Sequence, residues 1–359
     1  MDERVYWLVF SVFPGIGPVT FQKLLHHFES VEKAWRADVA DLKQVGIGES
    51  LAKRLAEFRA TFSINDYAAK LKQKGITFLI LTDDDYPKLL KQIKTPPFVL
   101  YIRGKYHLND LNHFISVVGT RKITQYGREV TTLITQELVQ AGCVIVSGLA
   151  IGVDAVAHAT TIENGGKTIA VLGGGVDVCY PSANQELYNS IVNGHGAVVS
   201  EYPLGATPTK GSFPSRNRII AGLSEAVVVT EGAEDSGALI TAAHAASLHK
   251  SVFAVPGPIT SSLSKGPFKL LQKGAKLVTS GRDVLDELNI KSIKGIRGIR
   301  SIKGDNEEEQ RVIDLLQNES LHFDEIVKKT GYDSSQLGIL LSLMEIKGLI
   351  KNTDGTYAI

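Results

Sequence analysis

The run Phe213-Pro-Ser-Arg216-Asn217-Arg218-Ile219-Ile220 sets two guanidinium groups and an amide beside an aromatic ring and a proline. Guanidinium forks match the paired oxygens of phosphates and carboxylates, so the chemistry on offer is the holding of an anion. Pro214 restricts the backbone before Ser215, a good N-cap, which places both arginines on the first turn of a helix. Free N–H groups at such a helix start favour the same anion. A lone Arg-x-Arg is commonly a solvated face. The eight residues by themselves leave three anions open: a nucleotide, a metabolite or a polynucleotide backbone.

The elements that must position these residues follow from hydrophobic periodicity. Short β-branched strands are expected over 115–118, 144–147, 169–172, 198–200, 226–230 and 252–255. Helical patterns alternate with them over 126–141, 153–164, 184–192, 216–223 and 238–248. Continuous apolar strands separated by helices imply an α/β fold, a doubly wound, Rossmann-like parallel sheet covered on both faces. Ligands of such sheets bind beyond the carboxyl ends of the strands. Those ends carry Gly119-Thr120-Arg121, the run from Ser147 and Gly148 to Asp154, Gly173-Gly174-Gly175, Glu201-Tyr-Pro203 and Glu231-Gly-Ala-Glu-Asp-Ser236-Gly237. Glycine at several strand ends lets a ligand approach the main chain, and with Arg121 and the Arg216/Arg218 pair this makes a phosphate-binding face.

Other chemistries find no support. The first strand ends Gly-Thr-Arg-Lys, so the dinucleotide fingerprint is missing, and there is no P-loop. His158, His195, His244 and His249 are scattered without metal-ligand spacing, and no cofactor or metal is expected. Asp154 reads equally as a general base and as a helix cap or loop anchor.

With 359 residues, two or three domains are expected, and the net charge of +1 argues neither for nor against nucleic acid. Two cysteines, Cys143 and Cys179, fit a reducing cytoplasm, and neither an export signal nor an 18-residue apolar run is present. Four segments are expected. Residues 1–70 read as a helical domain whose turns Pro14-Gly15-Ile16-Gly17-Pro18 and Val45-Gly46-Ile47-Gly48 resemble helix-hairpin-helix (SAM-like) elements. Residues 71–288 hold the Rossmann-like domain and an extended lead-in containing Thr95-Pro-Pro. Residues 289–304, an Ile/Gly/Lys/Arg three-residue repeat, read as a basic linker. Residues 305–359, with five basic and eleven acidic side chains, follow the order of a winged helix. Its third helix offers one basic residue, Lys347, which suits protein interaction better than base reading.

These phrases together resemble the DNA-processing protein A family (DprA, also called Smf). The matching residues are Val118-Gly-Thr-Arg121, Val146-Ser-Gly-Leu-Ala-Ile-Gly-Val-Asp154, Thr168-Ile-Ala-Val-Leu-Gly-Gly-Gly-Val-Asp177, Tyr180-Pro181 and Ser200-Glu-Tyr-Pro203. Phe213 to Ile220, Ser236-Gly-Ala-Leu-Ile-Thr241 and Val252-Phe-Ala-Val-Pro-Gly257 complete them. The resemblance implies a non-enzymatic homodimer that binds single-stranded DNA and loads the RecA recombinase onto it in natural transformation, with single-strand-binding protein a further partner and no membrane. By position it implies DNA contacts at Gly119, Thr120, Arg121, Gly148, Lys210, Phe213, Arg216 and Arg218. Ser147, Asp154, Gly173, Gly174, Gly175, Asn217, Ser236 and Gly237 would be the supporting loops. Two places depart from the family: Ser182-Ala-Asn-Gln-Glu186 lacks a basic residue after Tyr180-Pro181, and Gly266-Pro-Phe268 replaces a Gly-x-Asn phrase. The central domain also resembles nucleoside-monophosphate phosphoribohydrolases, but Thr241 stands where their glutamate is required. A winged-helix transcription regulator with a metabolite-sensing domain is a third reading.

Overall fold

The computed structural model describes residues 3–105, 108–290, 304–316, 320–353 and 355–358. They form two compact units, divided between Lys294 and Gly295. Six helices open the first unit: α1 (Glu3–Val12), α2 (Pro18–Phe28), α3 (Val31–Arg36), α4 (Val39–Gln44), α5 (Glu49–Thr61) and α6 (Ile64–Gln73). Ser30, Asp38 and Ser63 cap α3, α4 and α6 through their side chains. Gly15 and Gly46, the first glycines of the two expected hairpin turns, take positive φ angles of 112° and 84°, which most other residues resist. Trp7, Phe10 and Phe21 make the aromatic centre of this part, and Phe21 stacks on Phe98 with ring centroids 4.0 Å apart.

A nine-stranded sheet follows: β1 (Ile76–Ile80), β2 (Val99–Gly104), β3 (Phe114–Val118), β4 (Val144–Ser147), β5 (Thr168–Val171), β6 (Gly196–Ser200), β7 (Ala226–Val229), β8 (Ser251–Ala254) and β9 (Lys276–Leu277). The spatial order is β1-β2-β6-β5-β4-β3-β7-β8-β9. From β6 to β9 the pairing is parallel, whereas β1 and β2 run antiparallel to their neighbours. β3 opposes β4 on one side, Ile115 facing Ile145, and β7 on the other, Ile115 facing Ala226. The winding reverses there, so the crevice of the sheet opens beyond Val118 and Val229.

The connecting helices are α7 (Lys88–Lys91), α8 (Gln125–Gln140), α9 (Val153–Glu163), α10 (Gln185–Ser190), α11 (Ser212–Leu223), α12 (Gly237–Ser247), α13 (Lys265–Gln272) and α14 (Gly281–Glu287). Alternation along the strands sends Ile115, Val117, Ile145 and Val228 to α8, α9 and α14. Val118, Val146, Val171 and Val227 face α11 and α12 on the other side. Tyr101, Ala170 and Val198 share a core with the six N-terminal helices. The change of structure near residue 70 is therefore no break in the core.

The extended lead-in expected before residue 105 supplies β1 and β2, which add two antiparallel strands to the edge of the expected parallel sheet. β9, α13 and α14 escape the periodicity: two residues are too few for a pattern, and Lys265-Gly-Pro looks like a loop. The expected N-cap at Ser215 is also corrected. α11 begins at Ser212, where Thr209 and Ser212 exchange hydrogen bonds: Thr209 Oγ1 accepts from Ser212 N at 3.2 Å and Ser212 Oγ accepts from Thr209 N at 2.9 Å. Pro214 then sits inside the first turn, where a missing N–H costs little, and the arginines fall one turn later.

The second unit comprises α15 (Glu307–Leu316), β10 (Leu321–His322), α16 (Phe323–Thr330), α17 (Ser334–Ile346), β11 (Lys351–Thr353) and β12 (Thr356–Ala358), with strand order β10-β12-β11. Val312, Ile326, Leu337, Leu341 and Met344 form its core, and the arrangement is a winged helix. Except for Asn289, Ile290 and Gly304, the expected basic linker lies outside the described residues. Among the described residues no helix is long and apolar enough to cross a membrane.

Candidate nucleic-acid interface

Beyond β3 and β7 lies a groove of about 640 Å³. One wall carries Arg121, Tyr180, Lys210, Phe213 and Arg216; the other is the loop after β7 and the start of α12, with Asp235, Ser236, Gly237 and Thr241. Arg121 reaches it from the turn after β3 and lays its guanidinium over the Phe213 ring, 5.2 Å from the centroid. Tyr180 lies 5.6 Å from the same ring at a 36° tilt, and with 51% exposure it offers a flat face to the groove. Lys210 is exposed at the groove and makes no ion pair among the described residues.

The two arginines of α11 point apart, which corrects the expectation of two forks aimed one way. Side chains at i and i+2 do not share a helix face. Arg216 is 5% exposed and turns under the groove, where Nη1 donates to Gly148 O at 2.6 Å and to Val171 O, and Nε donates to Asn217 Oδ1 at 3.2 Å. Burial pulls its pKa down to about 10, with Asp154 opposing and Arg121 adding to the fall. Arg218 turns away into an ion pair with Glu201 at 2.5 Å, and the lining of the groove does not include it.

Gly148 leaves room for this arrangement: a β-carbon there would lie 2.5 Å from Arg216 Nη1 and would shift the guanidinium. Gly119 is equally constrained, its β-carbon position being 2.6 Å from Val153 and 2.7 Å from Glu231 O. Thr120 N donates to Glu231 O at 2.8 Å, which joins the turn after β3 to the end of β7. Of the two roles open for Asp154, the geometry takes the anchor: its Oδ2 accepts from Gly148 N at 3.1 Å and Ala150 N at 3.4 Å. Burial raises its pKa, and Arg216 pulls it back.

The remaining sites support the groove from behind. Ser147 Oγ donates to Val117 O at 2.7 Å. Gly173 lies against the Phe213 ring, and Gly174 and Gly175 lie against the 203–208 loop that leads to Lys210. Asn217 Nδ2 donates to Gly237 O at 3.0 Å, and Ser236 caps α12. Where a basic residue is absent after Pro181, Asn184 instead ties the loop to Leu149 O at 2.9 Å. Gly266 N donates to Gly232 O at 2.8 Å, so the departing phrase backs the loop after β7. Tyr180 is the groove residue that sequence reasoning missed. Its signal was the ring in Tyr180-Pro181, separated from Phe213 in the chain by α10 and β6.

On the separate winged helix, α17 exposes Ile339, Leu343 and Ile346 at 65%, 49% and 83%. Lys347 at its end is held by Asp305 and Glu309 at 2.6 and 2.7 Å. An apolar face with its one cation paired does not suit base reading.

Comparison with known proteins matches residues 77–289 to the DNA recombination-mediator protein A family. Residues 300–356 match the DprA winged helix domain, and 10–60 the SAM-like helix-hairpin-helix tandem. The chain is 40% identical over 291 residues to Protein Smf of Synechocystis, covering 80% of this chain and 73% of that protein. It is 47% identical over 277 residues to the DNA processing protein DprA of Streptococcus pneumoniae, covering 76% of this chain and 94% of that one. The X-ray structure of the pneumococcal protein superposes with a TM-score of 0.68 at 37% identity, covering 80% of this chain and 98% of that one. DNA processing protein A from Helicobacter pylori, described for its single-stranded DNA binding mode, gives 0.54 at 32% identity, covering 60% and 95%.

Proposed function

The chain belongs to the DNA recombination-mediator protein A family, and from that premise we propose that its strand-end groove holds single-stranded DNA without cutting it. The observation that carries this reading is the Arg121–Phe213–Tyr180 stack beside Lys210. An exposed ring beside a ring-stacked guanidinium and an exposed lysine suits a chain of bases and phosphates. Stacking contributes about 1–3 kcal/mol per base with little sequence preference, while the cations follow the backbone. Arg121 and Lys210 would touch phosphates. Arg216 would add positive potential from below and hold the Gly148 turn in place. Gly119 and Thr120 line the groove where the strand would pass, and Gly148 makes room for Arg216 beneath it.

The finer role follows from the family and is part of the same proposal. The protein acts as a homodimer in the cytoplasm, protects incoming strands during natural transformation, and loads RecA onto DNA covered by single-strand-binding protein. The winged helix, with its apolar α17, serves protein contact.

A loading assay tests this. RecA filament growth on DNA coated with single-strand-binding protein is followed by ATP hydrolysis, with and without the protein. Wild type should shorten the lag severalfold and Arg121→Ala should not. A lag unaffected by wild type would remove the loading role.

A further inference from the structure

We infer that Glu231 is a positioning residue that latches the Arg121 loop across the switch point of the sheet; this rests on the proposed binding of DNA by Arg121. Glu231 lies two residues past the end of β7 and is 3% exposed, and it does not line the groove. Its carboxylate accepts two hydrogen bonds from one residue of the neighbouring loop, from Thr124 Oγ1 at 2.7 Å and from Thr124 N at 3.0 Å. Its main-chain oxygen accepts from Thr120 N at 2.8 Å. Thr120 Oγ1 in turn accepts from Lys122 N at 3.1 Å. Arg121 therefore sits on a short loop fastened to Glu231 on both sides.

The surroundings are shaped to this carboxylate. Thr124 is the N-cap of α8, accepting from Gly127 N at 3.0 Å, so the latch also fixes where α8 begins. At Gly127 a β-carbon would lie 1.8 Å from Glu231 Oε2, so any other residue there would push the carboxylate from its place. A buried charge-bearing group that accepts N–H and O–H donors in this way holds a loop more firmly than a neutral one. The guanidinium over Phe213 can then meet a phosphate without first being ordered, which lowers the entropy lost on binding.

A double-mutant cycle on the full chain separates this role from simple structural support. Affinity for a fluorescein-labelled oligo-dT is read by anisotropy over a range of salt for wild type, Glu231→Gln, Arg121→Ala and the double variant. Thr124→Val and Thr124→Ser accompany them, since Thr124 is exposed and its replacement leaves the core intact. Glu231→Gln should weaken binding about fivefold to tenfold with Arg121 present and hardly at all without it. The slope of log K against log salt should become shallower by about 0.7, as for the loss of one phosphate contact. Thr124→Val should act likewise and Thr124→Ser should restore binding. Equal losses with and without Arg121, or equal binding by the valine and serine variants, would overturn the latch alone. No binding by wild type would overturn the proposed function and the latch together.

Discussion

His158 lies on α9 beneath the groove, fully buried. Thr168 Oγ1 donates to Ile145 O at 2.7 Å, so it accepts from His158 Nδ1 at 2.6 Å, and Nε2 is left buried without a partner. Burial, with Arg216 nearby, pushes the imidazole pKa down to about 3. An unfolded chain takes up this proton near pH 6.5. Between those values the unfolded state binds more protons, so the stability this group gives is complete above pH 6.5 and drains away as pH falls toward 3. Asp154, whose pKa burial raises, works in the opposite direction at the acid end. Urea unfolding should therefore lose roughly 1 kcal/mol per pH unit from His158 between pH 6 and 5, and His158→Asn should flatten that slope. An unchanged slope in the variant would place the acid sensitivity elsewhere. At this scale the sequence was legible in placement, since the expected residues Arg121, Lys210 and Phe213 do meet in one groove. It was not legible where direction decides, because Arg216 reads the same whether it faces solvent or two carbonyls.

Among the elements, α11 is the most instructive. Its position between β6 and β7 follows from periodicity, but its first turn depends on the Thr209–Ser212 exchange, which no spacing of apolar residues reveals. The one-turn shift and the i, i+2 divergence send Arg218 to Glu201, with side-chain exposures of only 12% and 10%. Removing one partner of a buried pair typically costs about 3–5 kcal/mol, reduced here because burial already raises the pKa of Glu201 and eases its protonation. Arg218→Ala should thus lower the melting temperature by several degrees and leave the oligo-dT affinity of the folded protein unchanged. A variant that melts normally but binds weakly would return Arg218 to the groove. The parallel strands and their helices were legible from apolar runs. The antiparallel β1 and β2 were not, since a strand pairing across the sheet edge looks locally like any extended segment.

For the molecule as a whole, the charge distribution separates two tasks. In the first unit, Arg121, Lys210 and Arg216 meet at the groove beyond the paired strands β3 and β7, at the switch point of the sheet. The winged helix is acidic and presents an apolar helix face, so its removal should leave strand binding by the first unit largely intact. That the groove holds single-stranded DNA by its backbone is the claim on which the rest depends. The most direct measurement is an equilibrium titration of labelled oligo-dT against the full chain and against residues 1–304 across a salt series. For both, the log–log salt slope should be about −1.4 from the phosphate contacts of Arg121 and Lys210, with Arg121→Ala shallower by about 0.7. Binding that ignores salt, or that disappears when residues 305–359 are removed, would contradict it.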